Sequence, residues 1–378
     1  ARQAVASSVV LLKNKAEVLP IKKDSGKTIA VIGPMMNNTS DINGSWTCLG
    51  DGKQSVSLLS GLTEKYKGTN VKLLYAEGCG FTTISTEQLK EAVAIARKAD
   101  RVLVAVGEQS NWAGESAVRT DIRLPQAQRQ LLEALKAINK PIAIITFSGR
   151  PLDLSWENEN VQAILQAWFP GTQGGNGIAD VIAGDVNPSG HLTMSFPRSV
   201  GQIPIYYNYK STGRPVYTNN EEVDHRPHYN AGYLDSSITP LYPFGYGLSY
   251  TTFAISNVHL NKKSIKRYND SIIVNASVQN TGTTEGEIVV QLYTRQLVAS
   301  VSRPVKELKG FQKISLKAGE SKQVRFELPS EALARLKIGF ILLLYCNPAA
   351  RKCLMKQTTY SKFFAAAMLG LAIGAAQA

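Results

Sequence analysis

Short apolar runs alternate with stretches of helical spacing through roughly the first two hundred residues. Thr28–Ile32, Val71–Tyr75, Arg101–Val106, Pro141–Phe147 and Val161–Ala167 read as buried strands. Ser57–Lys67, Thr86–Lys98, Gln126–Ile138 and Gly177–Ala183 read as helices, and Ala1–Leu19 as a leading helix that ends at Leu19-Pro20. Such alternation predicts an α/β domain over 1–200, a mostly parallel sheet with helices on both faces. Residues 201–247, rich in Tyr, Asn, Pro and charge, have no helical period and read as a connecting segment on the surface. From Leu248 the period becomes two. Thr252–Leu260, Ser271–Asn280, Ile288–Arg295, Lys306–Ser315 and Lys322–Leu328 predict antiparallel strands of a small β-sandwich over 248–336. The pattern is lost near Leu336, although Gly339–Tyr345 is apolar enough to be one more strand.

Composition changes this picture little. A hydrophobic fraction of 44% fills real cores, and 19% charged residues are too few for a disordered chain. The formal charge of +13 resembles a nucleic-acid signal, but five of the basic residues, and no acidic ones, lie after Leu336. The remainder form no dense Lys/Arg block, so solvated faces explain them and no nucleic-acid partner is expected. Cys48, Cys79, Cys346 and Cys353 form no CxxC pair, which argues against zinc. Cys48 and Cys79 suit either a disulfide or two free thiols. His191, His225, His228 and His259 are scattered, and no metal or cofactor is expected.

Both ends read as those of an interrupted gene product. There is no initiator Met, and Ala1 lies inside an apparent helix. The tail 337–378 is aberrant. From Met355 it has a basic n-region, an apolar h-region and a terminal Ala-Gln-Ala, the pattern of a secretory signal peptide. Phe363–Ala378 is short for a membrane span of about 20 residues, so no stable span is expected. A frameshift or gene fusion is the expected origin of this tail.

The chemistry concentrates in Val106–Asp121, a polar loop between the strand Arg101–Val106 and the helix that follows Leu124-Pro125. Open α/β sheets bind ligands outside the carboxyl ends of their strands. The loop carries Glu108, Glu115, Trp112 and Arg119. A movable Glu beside an aromatic ring suits a general acid, because apolar surroundings disfavour its charged form. The same composition also suits a solvated loop with a surface salt bridge. Gly171–Gly177 lacks the spacing of a dinucleotide fingerprint, and tight backbone packing at a strand-to-helix turn explains its glycines better than an anion cradle.

Taken in order, the motifs form a set. They are Ser8-Val-Val-Leu-Leu-Lys-Asn14, Ala30-Val-Ile-Gly-Pro34, Gly114-Glu-Ser-Ala-Val-Arg-Thr-Asp121, Ser148-Gly-Arg-Pro151, Ala167-Trp-Phe-Pro-Gly171, Asp185-Val-Asn-Pro-Ser-Gly190, Tyr242-Pro-Phe-Gly-Tyr-Gly-Leu-Ser-Tyr250 and Leu308-Lys-Gly-Phe311. This set resembles the carboxy-terminal half of glycoside hydrolase family 3, of the bacterial periplasmic β-glucosidase type, over about residues 1–335. The resemblance implies an α/β sandwich followed by a fibronectin type III-like sandwich, here incomplete with five clear strands. It also implies an amino-terminal barrel that bears the nucleophilic Asp and that these 378 residues lack.

The activity implied by the resemblance is retaining hydrolysis of terminal β-D-glucosyl residues in β-linked glucosides or oligosaccharides. Glu115 matches the family's general acid/base, with Glu108 as runner-up. Trp112, and after it Trp46, would stack on the aglycone or second sugar. Arg119 and Asp121 would shape the loop, while Trp156 and Trp168 would be structural and Tyr242–Tyr250 would pack a domain junction. The isolated chain would be inactive without its barrel, and the intact protein periplasmic or secreted. The alternative is a carbohydrate-binding or interaction module without chemistry.

Overall fold

The computed structural model describes residues 1–214, 231–262, 269–299, 301–333 and 338–345. His225, His228, Cys346, Cys353 and the signal-peptide-like tail lie outside these residues.

The first unit runs α1 (Arg2–Ser8), β1 (Val10–Asn14), β2 (Thr28–Ile32), α2 (Leu58–Tyr66), β3 (Lys72–Ala76), α3 (Thr86–Lys98), β4 (Arg101–Gly107), α4 (Gln126–Lys136), β5 (Ile142–Phe147), α5 (Ser155–Asn160), β6 (Ala163–Gln166) and α6 (Gly174–Ala183). Its strands form one sheet in the order β1-β6-β5-β4-β2-β3, parallel throughout except for β1 against β6. Period-two alternation sends successive side chains to opposite faces. Val31, Leu103, Ile145 and Leu165 pack under α1, α2 and α6, whereas Ala30, Val104, Ile144 and Ile164 pack under α3 and α4. Both faces are therefore covered, as the apolar runs predict.

The leading helix is shorter than its sequence suggests. It stops at Ser8, and Val10–Asn14 turns into the edge strand β1. Val9, Val10, Leu11 and Leu12 are wholly buried. The sheet offers them a pairing partner in β6, and tertiary burial outweighs the modest helix propensity of the segment. The helix α5 is not legible in the sequence, because its six residues are mostly polar and carry no apolar period.

Among the glycines of 171–177, Gly175 packs directly against backbone, Gly174 and Gly177 lie close to side chains, and Gly171 has open space around it. A Cβ on Gly175 would lie 1.9 Å from the Ser57 carbonyl oxygen, and one on Gly61 would lie 2.3 Å from the backbone of Gly175. At Gly61 and Gly175 the backbones of α2 and α6 thus meet with no room for a side chain. Gly175→Ala is expected to destabilise the unit by about 1–3 kcal/mol or more. A lower urea midpoint with unchanged slope would show it.

The second unit comprises β7 (Phe253–Leu260), β8 (Ser271–Asn280), β9 (Gly286–Val298), β10 (Glu307–Leu316), β11 (Ser321–Pro329), a short helix α7 (Ser330–Leu333) and β12 (Ile338–Tyr345). Two antiparallel sheets, β10-β9-β12 and β11-β8-β7, enclose a core of Ile272, Val274, Val290, Leu292, Val324 and Leu328. The apolar run beyond Leu336 is β12, which pairs with β9 from Ile338↔Val298 to Tyr345↔Gln291. Residues 242–250 touch both units. The Tyr246 hydroxyl donates to the Leu12 carbonyl at 3.0 Å, and Gln291 Nε2 donates to the Gly245 carbonyl at 2.9 Å.

Candidate active site

The strand order reverses at β2. The chain passes from β2 outward to β3, then returns to place β4 on the other side of β2. The loops leaving the carboxyl ends of β2 and β4 therefore diverge over a crevice, the position where open sheets bind ligands. A cleft of about 360 Å³ lies there, lined by Gly44, Ser45, Trp46 and Thr47 from the β2 loop and by residues of 110–117 from the β4 loop.

Two features hold these loops together. Asp41 Oδ1 accepts hydrogen bonds from Ser110 N at 2.8 Å and Ser110 Oγ at 2.9 Å, and Asn38 Nδ2 orients its other oxygen at 2.7 Å. Gly114 sits at φ +117° with its α-carbon against Ser45, and a Cβ there would lie 2.7 Å from Ser45 Oγ. Glycine is needed here both for the backbone angle and for the close approach.

Glu115 lines the cleft and is exposed to it, as is Trp46, which is 68% exposed. The structure thus brings together Glu115 and Trp46, which lie in different loops and are far apart in sequence. Glu108 is elsewhere. It is wholly buried at the end of β4, where Oε1 accepts from Arg119 Nη1 at 2.8 Å and Oε2 from Arg150 Nε at 3.2 Å. Trp112 is not part of the cleft lining. Its ring packs edge-on to Phe81 at 6.1 Å, and the Arg119 guanidinium lies over it at 5.0 Å. Arg119 therefore joins a buried carboxylate to an aromatic face within one loop.

Asp121 faces Arg123 rather than the cleft. It accepts from Arg123 N at 3.0 Å, Nε at 2.9 Å and Nη2 at 2.7 Å. The side-chain hydrogen bond from Arg123, then the backbone one, hold its carboxyl down at about 2. An unfolded Asp titrates near ~3.9, so the contribution of this pair is complete above about pH 4 and is lost as pH falls towards 2. NMR titration of the Asp121 carboxyl should show that low midpoint. Asp121→Asn should flatten the matching part of the stability curve by a small, salt-sensitive amount, because the pair is more than half exposed.

Two residues of the site carry no local mark in the sequence. Arg150 reaches the loop from β5, and Asp41 from β2; each lies tens of residues from its partner, and no local pattern signals such a contact. The Ser148–Pro151 motif is the only available hint. Cys48, exposed, and Cys79, buried, are both free thiols, and burial pushes that of Cys79 up to about 12. Among the described residues no group of three or more His, Cys, Asp or Glu is placed to hold a metal ion. Nor is any helix among them long and apolar enough to cross a membrane.

The family model of the glycosyl hydrolase family 3 C-terminal domain matches residues 9–250. The chain belongs to glycosyl hydrolase family 3. A fibronectin type III-like domain model matches residues 288–338 of this family 3 chain. The periplasmic beta-glucosidase of Salmonella typhimurium is 46% identical over 353 residues, 88% of this chain and 45% of that protein. A beta-xylosidase of Formosa agariphila is 39% identical over 337 residues, again 88% of this chain and 45% of that protein. The solved beta-glucosidase from Listeria innocua in complex with isofagomine superposes with a TM-score of 0.82 at 38% identity, covering 92% of this chain and 48% of that one. The chain spans about half the length of the curated relatives it matches.

Proposed function

We propose that this chain supplies the general acid/base, Glu115, to a retaining β-glucosidase of the periplasm or exterior, and that the nucleophile comes from an amino-terminal barrel. The observation that carries this reading is the exposed Glu115 carboxylate on the wall of an open cleft beside the exposed ring of Trp46. In retaining hydrolysis two carboxyl groups about 5–5.5 Å apart flank the glycosidic bond. One attacks the anomeric carbon. The other protonates the leaving oxygen and then deprotonates the attacking water. An exposed carboxylate at a rim suits the second role, because it must meet both leaving group and water. Trp46 offers an apolar face to the leaving sugar. Glu108, locked between two guanidinium groups, is poorly placed for proton transfer. Trp112 acts through Arg119 on the shape of the loop. The β-glucoside substrate class is supported by the beta-glucosidases among the relatives, the L. innocua protein having been solved with glucose and a mutant of it with laminaribiose.

The test uses 4-nitrophenyl β-glucoside. The 378-residue chain alone is expected to show no hydrolysis above buffer. Fused behind the amino-terminal half of the S. typhimurium relative, it is expected to turn the substrate over. Turnover by the lone chain that disappears in Glu115→Ala would sink the proposal. A second reading, a sugar-binding module without chemistry, rests on the same Trp46 platform. It predicts sugar binding by the lone chain that Glu115→Gln leaves unchanged.

A further inference from the structure

Glu115 sits in a loop that has little regular structure, yet general acid catalysis demands a carboxyl held to a fraction of an ångström. We infer that Arg150, from the turn after β5, is the residue that fixes this loop, and that a buried polar chain at the carboxyl ends of β5 and β6 fixes Arg150. The inference rests on the reading of Glu115 as acid/base and adds to it the device that positions it.

The geometry is specific. Arg150 Nη2 donates to the Trp112 carbonyl in a short contact and makes a longer one of 3.5 Å to the Ala117 carbonyl. Those two carbonyls bracket the segment that carries Glu115. Arg150 Nε donates to the buried Glu108 carboxylate at 3.2 Å, and that carboxylate's other oxygen holds Arg119 from the loop's far end. One guanidinium therefore ties the start, middle and end of the loop to β5. A planar fork places two nitrogens at once, Nη2 at the carbonyls and Nε at Glu108, where an ammonium has one. The neighbouring turn is fitted to the loop as well, for a Cβ on Gly149 would lie 2.7 Å from the Ala113 Cβ.

Beneath Arg150 three polar side chains are wholly buried, Thr146, Ser148 and Gln166. Thr146 Oγ1 donates to Gln166 Oε1 at 2.5 Å, Gln166 Nε2 donates to Ser148 Oγ at 3.0 Å, and Ser148 Oγ donates to the Arg150 carbonyl at 2.7 Å. Burying polar groups is costly unless each is bonded, and apolar residues would fill the same space. Here the bonds run in one direction and end on the backbone of Arg150. They connect the carboxyl ends of β5 and β6 to the residue that grips the loop.

Hydrogen exchange of the 378-residue chain tests the hold directly. Arg150→Ala should speed exchange in 112–118 on the order of tenfold or more while β4 and β5 stay protected. Arg150→Lys keeps a charge but has one nitrogen where Arg150 uses two, Nη2 at the carbonyls and Nε at Glu108, so it must give up one of these contacts and should show the same local rise; it decides the matter should Arg150→Ala fail to fold. In the fusion with a barrel, Arg150→Lys should lower kcat and kcat/KM for glucosides with poor leaving groups, with KM little changed, and spare kcat/KM, which reports the first step, for 2,4-dinitrophenyl glucoside. No local rise in either variant, or a rise spread evenly over the sheet, overturns the inference. A local rise with no leaving-group effect overturns it too when Glu115→Gln does show that effect. If neither variant shows it, the role of Glu115 has failed and the grip of Arg150 on the loop stands.

Discussion

Glu115→Gln in the barrel fusion is expected to lower kcat about 10²–10⁴-fold on glucosides with poor leaving groups. The size of the loss depends on what the acid does. An alkoxide leaving group needs a proton as the glycosidic bond breaks, so losing the acid slows the first step in full. A dinitrophenolate leaves without a proton, so its first step is spared and only the water attack on the glycosyl-enzyme suffers. A series of aryl glucosides of graded leaving-group acidity would therefore show a much steeper dependence in the variant. Azide gives a second readout in Glu115→Ala. It attacks the anomeric carbon without needing a base, displaces the nucleophile's carboxylate and yields a β-glucosyl azide. Recovery of turnover with azide and formation of that product are expected. A flat leaving-group series with no azide product would exclude Glu115 from the role.

Glu108→Ala should act mainly on stability. Glu108 is wholly buried and paired with both Arg119 and Arg150, whose side chains are themselves only 23% and 18% exposed. Removing it leaves two partly buried guanidinium groups side by side with no counter-charge. Breaking a buried pair in this way costs about 3–5 kcal/mol, a fall in Tm on the order of 10 °C for a unit of this size. Differential scanning calorimetry of the 378-residue chain would measure it. The same variant separates the two carboxylates of the loop. Were Glu108 the acid, azide would restore turnover in Glu108→Ala and the melting temperature would barely move. The inverse pattern is expected, with a large thermal loss and no azide product.

The elements of the fold are legible where period and length agree. Thr86–Lys98 and Ser271–Asn280 have the bounds their patterns suggest. At Ser85 the sequence also carries its own start signal, a capping box completed by Gln88. Legibility fails where a segment's conformation depends on a distant partner. Val10–Asn14 is a strand because β6 has an open edge to pair with. Ser155–Asn160 is a helix without an apolar stripe, and its short span leaves no period to detect.

The candidate site divides along the same line. The sequence by itself determined the alternating strand–helix plan, the period-two sandwich, and the polar loop with Glu108, Glu115, Trp112 and Arg119, because these are matters of local spacing and residue type. Tertiary structure alone decided that the sheet reverses at β2, that Trp46 and Glu115 therefore line one cleft, and that Glu108 is sealed between Arg119 and Arg150. Two carboxylates seven residues apart look alike in a sequence. Their chemistry differs because one is surrounded by guanidinium groups and the other by open space, and those surroundings are assembled from strands that meet only when the chain folds.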